Sequence, residues 1–244
     1  LFKEIFVQPA SGDAGVAYGA CILSSNISNQ KKLKKIDNFY LGHREKKTDI
    51  IKALKKKKLK FIDLKENIFS ETAKFLSEGK IIGWFQGGAE FGPRALGNRS
   101  ILCKPFPIKM KDHLNINVKF REKFRPFAPA VLEEEYKKYF DITQKSPHML
   151  IACKVKKDKK KIIPAVVHID DTCRVQTVNR QINKELWTLL NDFKKKTSVP
   201  VLLNTSFNIK GQPIVNTSID AINCFLKYKI DILVLGTILV KKRS

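Results

Sequence analysis

Four stretches of this chain hold the residue types that grip an anion. The first, residues 90–100, reads EFGPRALGNRS and sets Arg94 and Arg99 five positions apart, after an apolar run at 81–85 and the glycines Gly87 and Gly88. Glycines after a strand let backbone N–H groups approach a phosphate closely. Two guanidiniums at this spacing can converge on one phosphate chain; an ordinary loop with surface arginines would read the same way. The second, residues 115–129, interleaves Lys119, Arg121 and Arg125 with Phe120, Phe124 and Phe127. Phenyl walls lower the local dielectric and strengthen a cation's hold on phosphate. The same pattern also fits stacking on single-stranded nucleic acid or a strand edge with snorkelling bases. The third, residues 168–177, carries Arg174 and His168. A lone histidine beside a strand is more often structural than a general base, and both roles stay open for His168. The fourth, residues 203–208, follows an apolar run, so Asn204 and Ser206 would project where α/β sheets bind ligands. The sequence holds no serine triad, no metal-ligand cluster and no complete P-loop.

The elements that must position these groups read as alternating helix and strand. Phe69, Thr72, Ala73 and Leu76 share a helical face, and Gly79 stands where that helix should stop. Strands are expected at 81–85, 199–203 and 232–235, with a helix through Leu186, Leu189, Leu190 and Phe193. Thr217 with Asp220 resembles a capping box before Ala221, Ile222, Phe225 and Leu226. This alternation predicts an α/β sheet covered by helices. Residues 2–25 read as a short strand, a Gly-Asp-Ala-Gly turn at 12–15 and a helix of small residues. Two elements make no core, so residues 1–28 are read as the end of a preceding domain, with residues 29–38 as a linker and 39–244 as the main domain.

Composition narrows the partners. The formal charge is +24, and 39 of the 47 cations are lysines lying in surface-like runs. A dispersed lysine surface makes nucleic acid a secondary reading. Five of the eight arginines fall in the four stretches above, where a planar fork matters more than charge alone. The five cysteines are scattered with no C-x-x-C pair, which predicts reduced thiols in a cytoplasmic protein. No apolar run reaches the ~18 residues that a membrane span needs. The chain opens on Leu1 without a leader-like segment and is read as part of a longer protein.

The motifs EFGPRALGNRS, INVKFREKFRPFAP, SPHML, PAVVHID followed by RVQTV, and LLNTSFNIKGQPIV occur in this order. Together with VQPASGDAG at 7–15 they make nearly the whole chain resemble the O-carbamoyltransferases that act on nodulation factors, aminoglycosides and cephems. The resemblance implies a YrdC-like twisted mixed sheet with packed helices, preceded by the terminal strand and helix of an actin-like, sugar-kinase-type ATPase domain. It implies ATP-dependent formation of carbamoyl-adenylate from carbamoyl phosphate, followed by transfer to a sugar-type hydroxyl by the preceding domain. Carried over by position, Lys119 and Arg94 would be catalytic, and Arg99, Arg125, Arg174, Asn204 and Ser206 would hold substrate and nucleotide. Asp13 would be a metal ligand, completed by residues of the preceding domain. ATP with Mg2+ is the implied nucleotide, and Fe2+ or another divalent metal would belong to that preceding domain. Four positions depart from the family pattern: Gly88 in place of Arg, Asp171 of Gly, Gln212 of Glu and Ser218 of Pro. An RNA-binding module and an inactive docking remnant are the alternatives.

Overall fold

The computed structural model describes residues 5–28 and 38–242. The predicted α/β class is what the chain forms. Its helices are α1 (Asp13–Ile27), α2 (Lys47–Lys56), α3 (Ile68–Ser77), α4 (Lys109–Leu114), α5 (Tyr136–Tyr139), α6 (Lys184–Thr197) and α7 (Ser218–Lys227). The first strands are β1 (Ile62–Asp63), β2 (Ile82–Phe85), β3 (Arg99–Cys103), β4 (Ala128–Leu132), β5 (Phe140–Asp141) and β6 (Ala152–Val155). They are followed by β7 (Thr172–Arg174), β8 (Gln176–Val178), β9 (Val201–Ser206), β10 (Ile232–Leu235) and β11 (Ile238–Lys241).

Eight strands form one sheet in the order β1-β11-β10-β2-β3-β9-β4-β8, and β5-β6-β7 form a second. The large sheet is mixed: β10 with β2 and β4 with β8 run parallel, while the other neighbours are antiparallel. All four residues of β2 and of β10 are buried, as expected of central strands covered on both faces.

Helix α3 packs against α6, and α2 against α7. The face of α3 that buries Ile68, Thr72, Ala73 and Leu76 follows the helical period, and Gly79 at φ +89° ends the segment. In α6 the side chain of Asn183 accepts from the Leu186 N–H, and Leu186, Leu189, Leu190 and Phe193 are buried. Sealing Phe193 from water contributes about 2–3 kcal/mol. The Thr217–Asp220 capping box of α7 forms in both directions.

The sequence reading is corrected at both ends. Residues 5–8 form no strand, and 12–15 are not a free turn: Gly12 is the N-cap and Asp13 the first residue of α1. None of α1 is buried. The expected linker lies outside the described residues except for Asn38. At the carboxyl end, Gly236 at φ +61° turns the chain into β11, an antiparallel partner of β10 that was not anticipated. Among the described residues no helix is long and apolar enough to cross a membrane.

Candidate functional site

The loop between β2 and β3 is built around a carboxylate. Glu90 Oε1 accepts from the backbone N–H groups of Leu96 (2.7 Å), Asn98 (2.8 Å) and Arg99 (3.1 Å). Asn98 donates to the Gly88 carbonyl at 2.8 Å and accepts from Asn183 at 3.1 Å. The carbonyls of Ala95 and Leu96 accept from Asn204 Nδ2 at 3.3 Å and Gln176 Nε2 at 2.7 Å. Asn204 also donates to Gln176 Oε1 at 2.9 Å. A segment of backbone with many polar groups is thereby satisfied internally, and its position on the sheet is fixed. Gly97 is required there: at φ +102° a Cβ would meet Leu186 Cδ2 at 2.4 Å.

This framework brings Arg94 and Arg174 together. Asn204 bonds the residue after Arg94, and Gln176 lies two positions from Arg174. Both Nε atoms are buried without a partner, and neither side chain has a hydrogen bond or ion pair among the described residues. Burial, then the neighbouring positive charge of Arg94, draws the Arg174 guanidinium below its ordinary range. Nearby, Asn204 Oδ1 and both side-chain polar atoms of Gln8 are also buried without partners. The Gln8 segment lies on the loop, with the Pro9 carbonyl 2.9 Å from where a Cβ on Gly92 would be. Two guanidiniums that repel each other and face no carboxylate are arranged for an anion that brings its own charge.

Ser206 follows Asn204 by two on β9, so the two share a face of the sheet. Lys119 meets that strand from the end of a π-helical turn, Asn115–Lys119. Its ammonium donates to the Ser206 carbonyl (2.8 Å) and hydroxyl (3.3 Å) and to the Asn208 carbonyl and Oδ1 (both 2.8 Å). Only 3% of Lys119 is exposed. Burial, and then the charge of Arg121, lowers its pKa to about 7. Arg121 lies over the Phe127 ring (4.7 Å) and donates to Asn115 Oδ1 (2.7 Å). Arg125 stands at the exposed rim, ion-paired with Glu122 at 3.0 Å. Asn208, Gln176 and Glu90 were given no role from sequence, although each lies within or beside a flagged motif.

Arg99 does something other than the phosphate binding expected of it. Its side chain turns inward and is 1% exposed. It donates to the carbonyls of Gln86, Gly87, Asn98, His43 and Asn216, and its guanidinium lies 3.6 Å from the Phe85 ring centroid. With its donors taken up by backbone, Arg99 clamps three chain segments. Asp13 is exposed on the first turn of α1, and the described residues contain no group of three metal-ligating side chains. His168 bonds Thr172 Oγ1 through Nδ1 (3.2 Å), and burial lowers its pKa.

Fold and geometry thus define an α/β protein in which Arg94 and Arg174 lie side by side without an ion-pair partner among the described residues and Lys119 is buried against the end of β9. The family model described as carbamoyltransferase C-terminus matches residues 73–242, and the chain belongs to that family. It is 42% identical over its whole length to the nodulation protein NolNO of Sinorhizobium fredii, covering 37% of that protein. To NolO of Bradyrhizobium diazoefficiens it is 43% identical, again over the whole chain and 45% of that protein. An uncharacterised protein of Methanocaldococcus jannaschii is 41% identical over 99% of the chain and 41% of its own length. The chain thus spans less than half of these relatives. Among solved structures, full-length HypF in a phosphate- and nucleotide-bound form superposes with a TM-score of 0.49 at 20% identity, over 76% of this chain and 22% of HypF. YciO of E. coli gives 0.48 at 12% identity, over 70% of this chain and 79% of its own.

Proposed function

We propose that this chain is the adenylating part of an ATP-dependent carbamoyltransferase. Carbamoyl phosphate and ATP with its Mg2+ bind against Arg94 and Arg174, with Lys119 completing the set of cations. Water cleaves the P–O bond of carbamoyl phosphate, releasing inorganic phosphate and carbamate, and a carbamate oxygen attacks the α-phosphorus of ATP, breaking the bond to the β-phosphate and expelling pyrophosphate. The carbamoyl-adenylate then goes to a sugar-type hydroxyl held by a preceding ATPase-type domain. Reactants that repel each other must share one cleft, so catalysis rests on cations that offset their charge. The unpartnered Arg94–Arg174 pair is the observation that carries this reading. No catalytic carboxylate is needed, because the carbamate is itself the nucleophile.

The test is pyrophosphate release by the chain given ATP, with and without carbamoyl phosphate. Release dependent on carbamoyl phosphate is expected, and Arg174→Ala should lower it at least tenfold while the melting temperature changes little. Equal release in both reactions, or full activity in Arg174→Ala, overturns the proposal.

A further inference from the structure

Cys153 and Cys173 are direct register partners on β6 and β7, and both are free thiols. Their sulfurs stand 3.8 Å apart in a thiol–sulfur hydrogen bond. The two ends of this contact are unequal. Cys153 is 8% exposed and Cys173 fully buried. The hydrogen bond between the two sulfurs holds the Cys153 thiol below its ordinary range, while the same bond and burial push Cys173 upward. Cys153, the more exposed of the two, is the one an oxidant reaches first, and the buried Cys173 sulfur stands beside it in position to resolve the product. Oxidant-sensing thiols need this division between an attacking and a resolving cysteine. The remaining cysteines lack it: Cys21 is exposed, and burial raises Cys103 and Cys224.

We propose that Cys153 and Cys173 are a modification site, closed to an intrachain disulfide by hydrogen peroxide. The Cys153 thiolate attacks one peroxide oxygen, the O–O bond breaks, and hydroxide leaves and takes up a proton as water. Cys153 is then a sulfenic acid. The Cys173 sulfur attacks it, the S–S bond forms, the S–O bond breaks, and a second water departs. Two thiols lose two electrons and one peroxide becomes two waters. The sulfurs need to close only to about 2 Å, and register partners already have the separation a disulfide spans. Arg174 directly follows Cys173 on β7, the edge strand of the small sheet. Drawing Cys173 toward β6 moves the backbone that carries this guanidinium, so the link weakens anion binding; this consequence rests on the site reading above.

The experiment treats the full chain with hydrogen peroxide, in a Cys21→Ser background to remove the exposed thiol. Intact mass and non-reducing peptide mapping are read, and pyrophosphate affinity is measured by calorimetry in both redox states. Expected are the loss of two hydrogens, a Cys153–Cys173 linked peptide reversed by dithiothreitol, and severalfold weaker pyrophosphate binding in the linked form. Sulfinic acid on Cys153 without a link, or a link through another cysteine, overturns the proposal. A linked chain with unchanged affinity overturns the coupling to Arg174. A reduced chain that binds no pyrophosphate counts against the anion site alone, because the mass data judge the disulfide independently.

Discussion

Lys119 holds its charge against its surroundings. Burial draws its pKa to about 7, whereas in the unfolded chain a lysine stays protonated to about pH 10.4. Between these values the unfolded state binds the extra proton, so stability from this residue rises with pH across that window and is lowest below about pH 7. Urea midpoints should show wild type gaining on Lys119→Met as pH rises from about 7 to 10. Anion binding runs the other way, because only the ammonium form attracts phosphate. The affinity gap for pyrophosphate between wild type and Lys119→Met should be widest near pH 6 and narrow above about pH 7, read by calorimetry. Arg99 makes a contrasting prediction. A lysine cannot replace a planar fork reaching five carbonyls, so Arg99→Lys should cost about 2–4 kcal/mol in urea unfolding. The arginines were legible in sequence as a class. Which of them would turn inward was not, because the carbonyls from His43 and Asn216 that hold Arg99 come from distant segments.

The elements account for three of the four departures from the family pattern. Gly88 lies under the 39–43 segment, which bonds 89–91 through Gly42 to Ala89 (2.9 Å), Ala89 to His43 (3.0 Å) and Phe91 to Phe39 (2.6 Å). A Cβ at Gly88 would stand 2.6 Å from the Tyr40 carbonyl. Restoring the family's arginine by Gly88→Arg should therefore displace that segment and cost about 1–3 kcal/mol without raising activity, as thermal melts and pyrophosphate release would read. Asp171 occupies a position at φ +68°, which explains a glycine there, and pairs with Lys160 at 2.6 Å. Ser218 opens α7, where proline is favoured, but its N–H donates to Glu45 at 2.9 Å, a bond proline lacks. Gln212 contributes its carbonyl, which accepts from Asn208 at 2.8 Å. Its side chain's difference from glutamate has no structural explanation. The capping box was readable as Thr217 and Asp220 because a helix start is a local event. Thr217→Ala should cost about 1 kcal/mol, measured by urea denaturation.

At the scale of the whole molecule, the +24 charge divides into two populations. Most lysines are exposed, and salt screens them over a distance of about 8–10 Å. The Arg94–Arg174–Lys119 group is part-buried and less screened. RNA binding should thus vanish between about 50 and 300 mM salt, while ATP binding weakens far less; filter binding against calorimetry separates the two. Retention of RNA at high salt would restore the nucleic-acid reading. The chain spans less than half the length of its nodulation relatives.

The sequence alone determined the α/β class, the helices α1, α3, α6 and α7, the strands β2, β9 and β10, and the four stretches that hold the candidate site residues; the central strands β3 and β4 were missed. Helical period, strand alternation and caps act over a few residues, so they are written in consecutive letters. Tertiary structure decided which cations stand side by side: Arg94 and Arg174 are 80 positions apart and meet where Asn204 and Gln176 tie their segments. It also decided that Arg99 serves the backbone, that Lys119 is nearly dry and that two cysteines 20 positions apart touch. Burial and partnership depend on what the rest of the chain brings alongside a residue, and no local pattern records that.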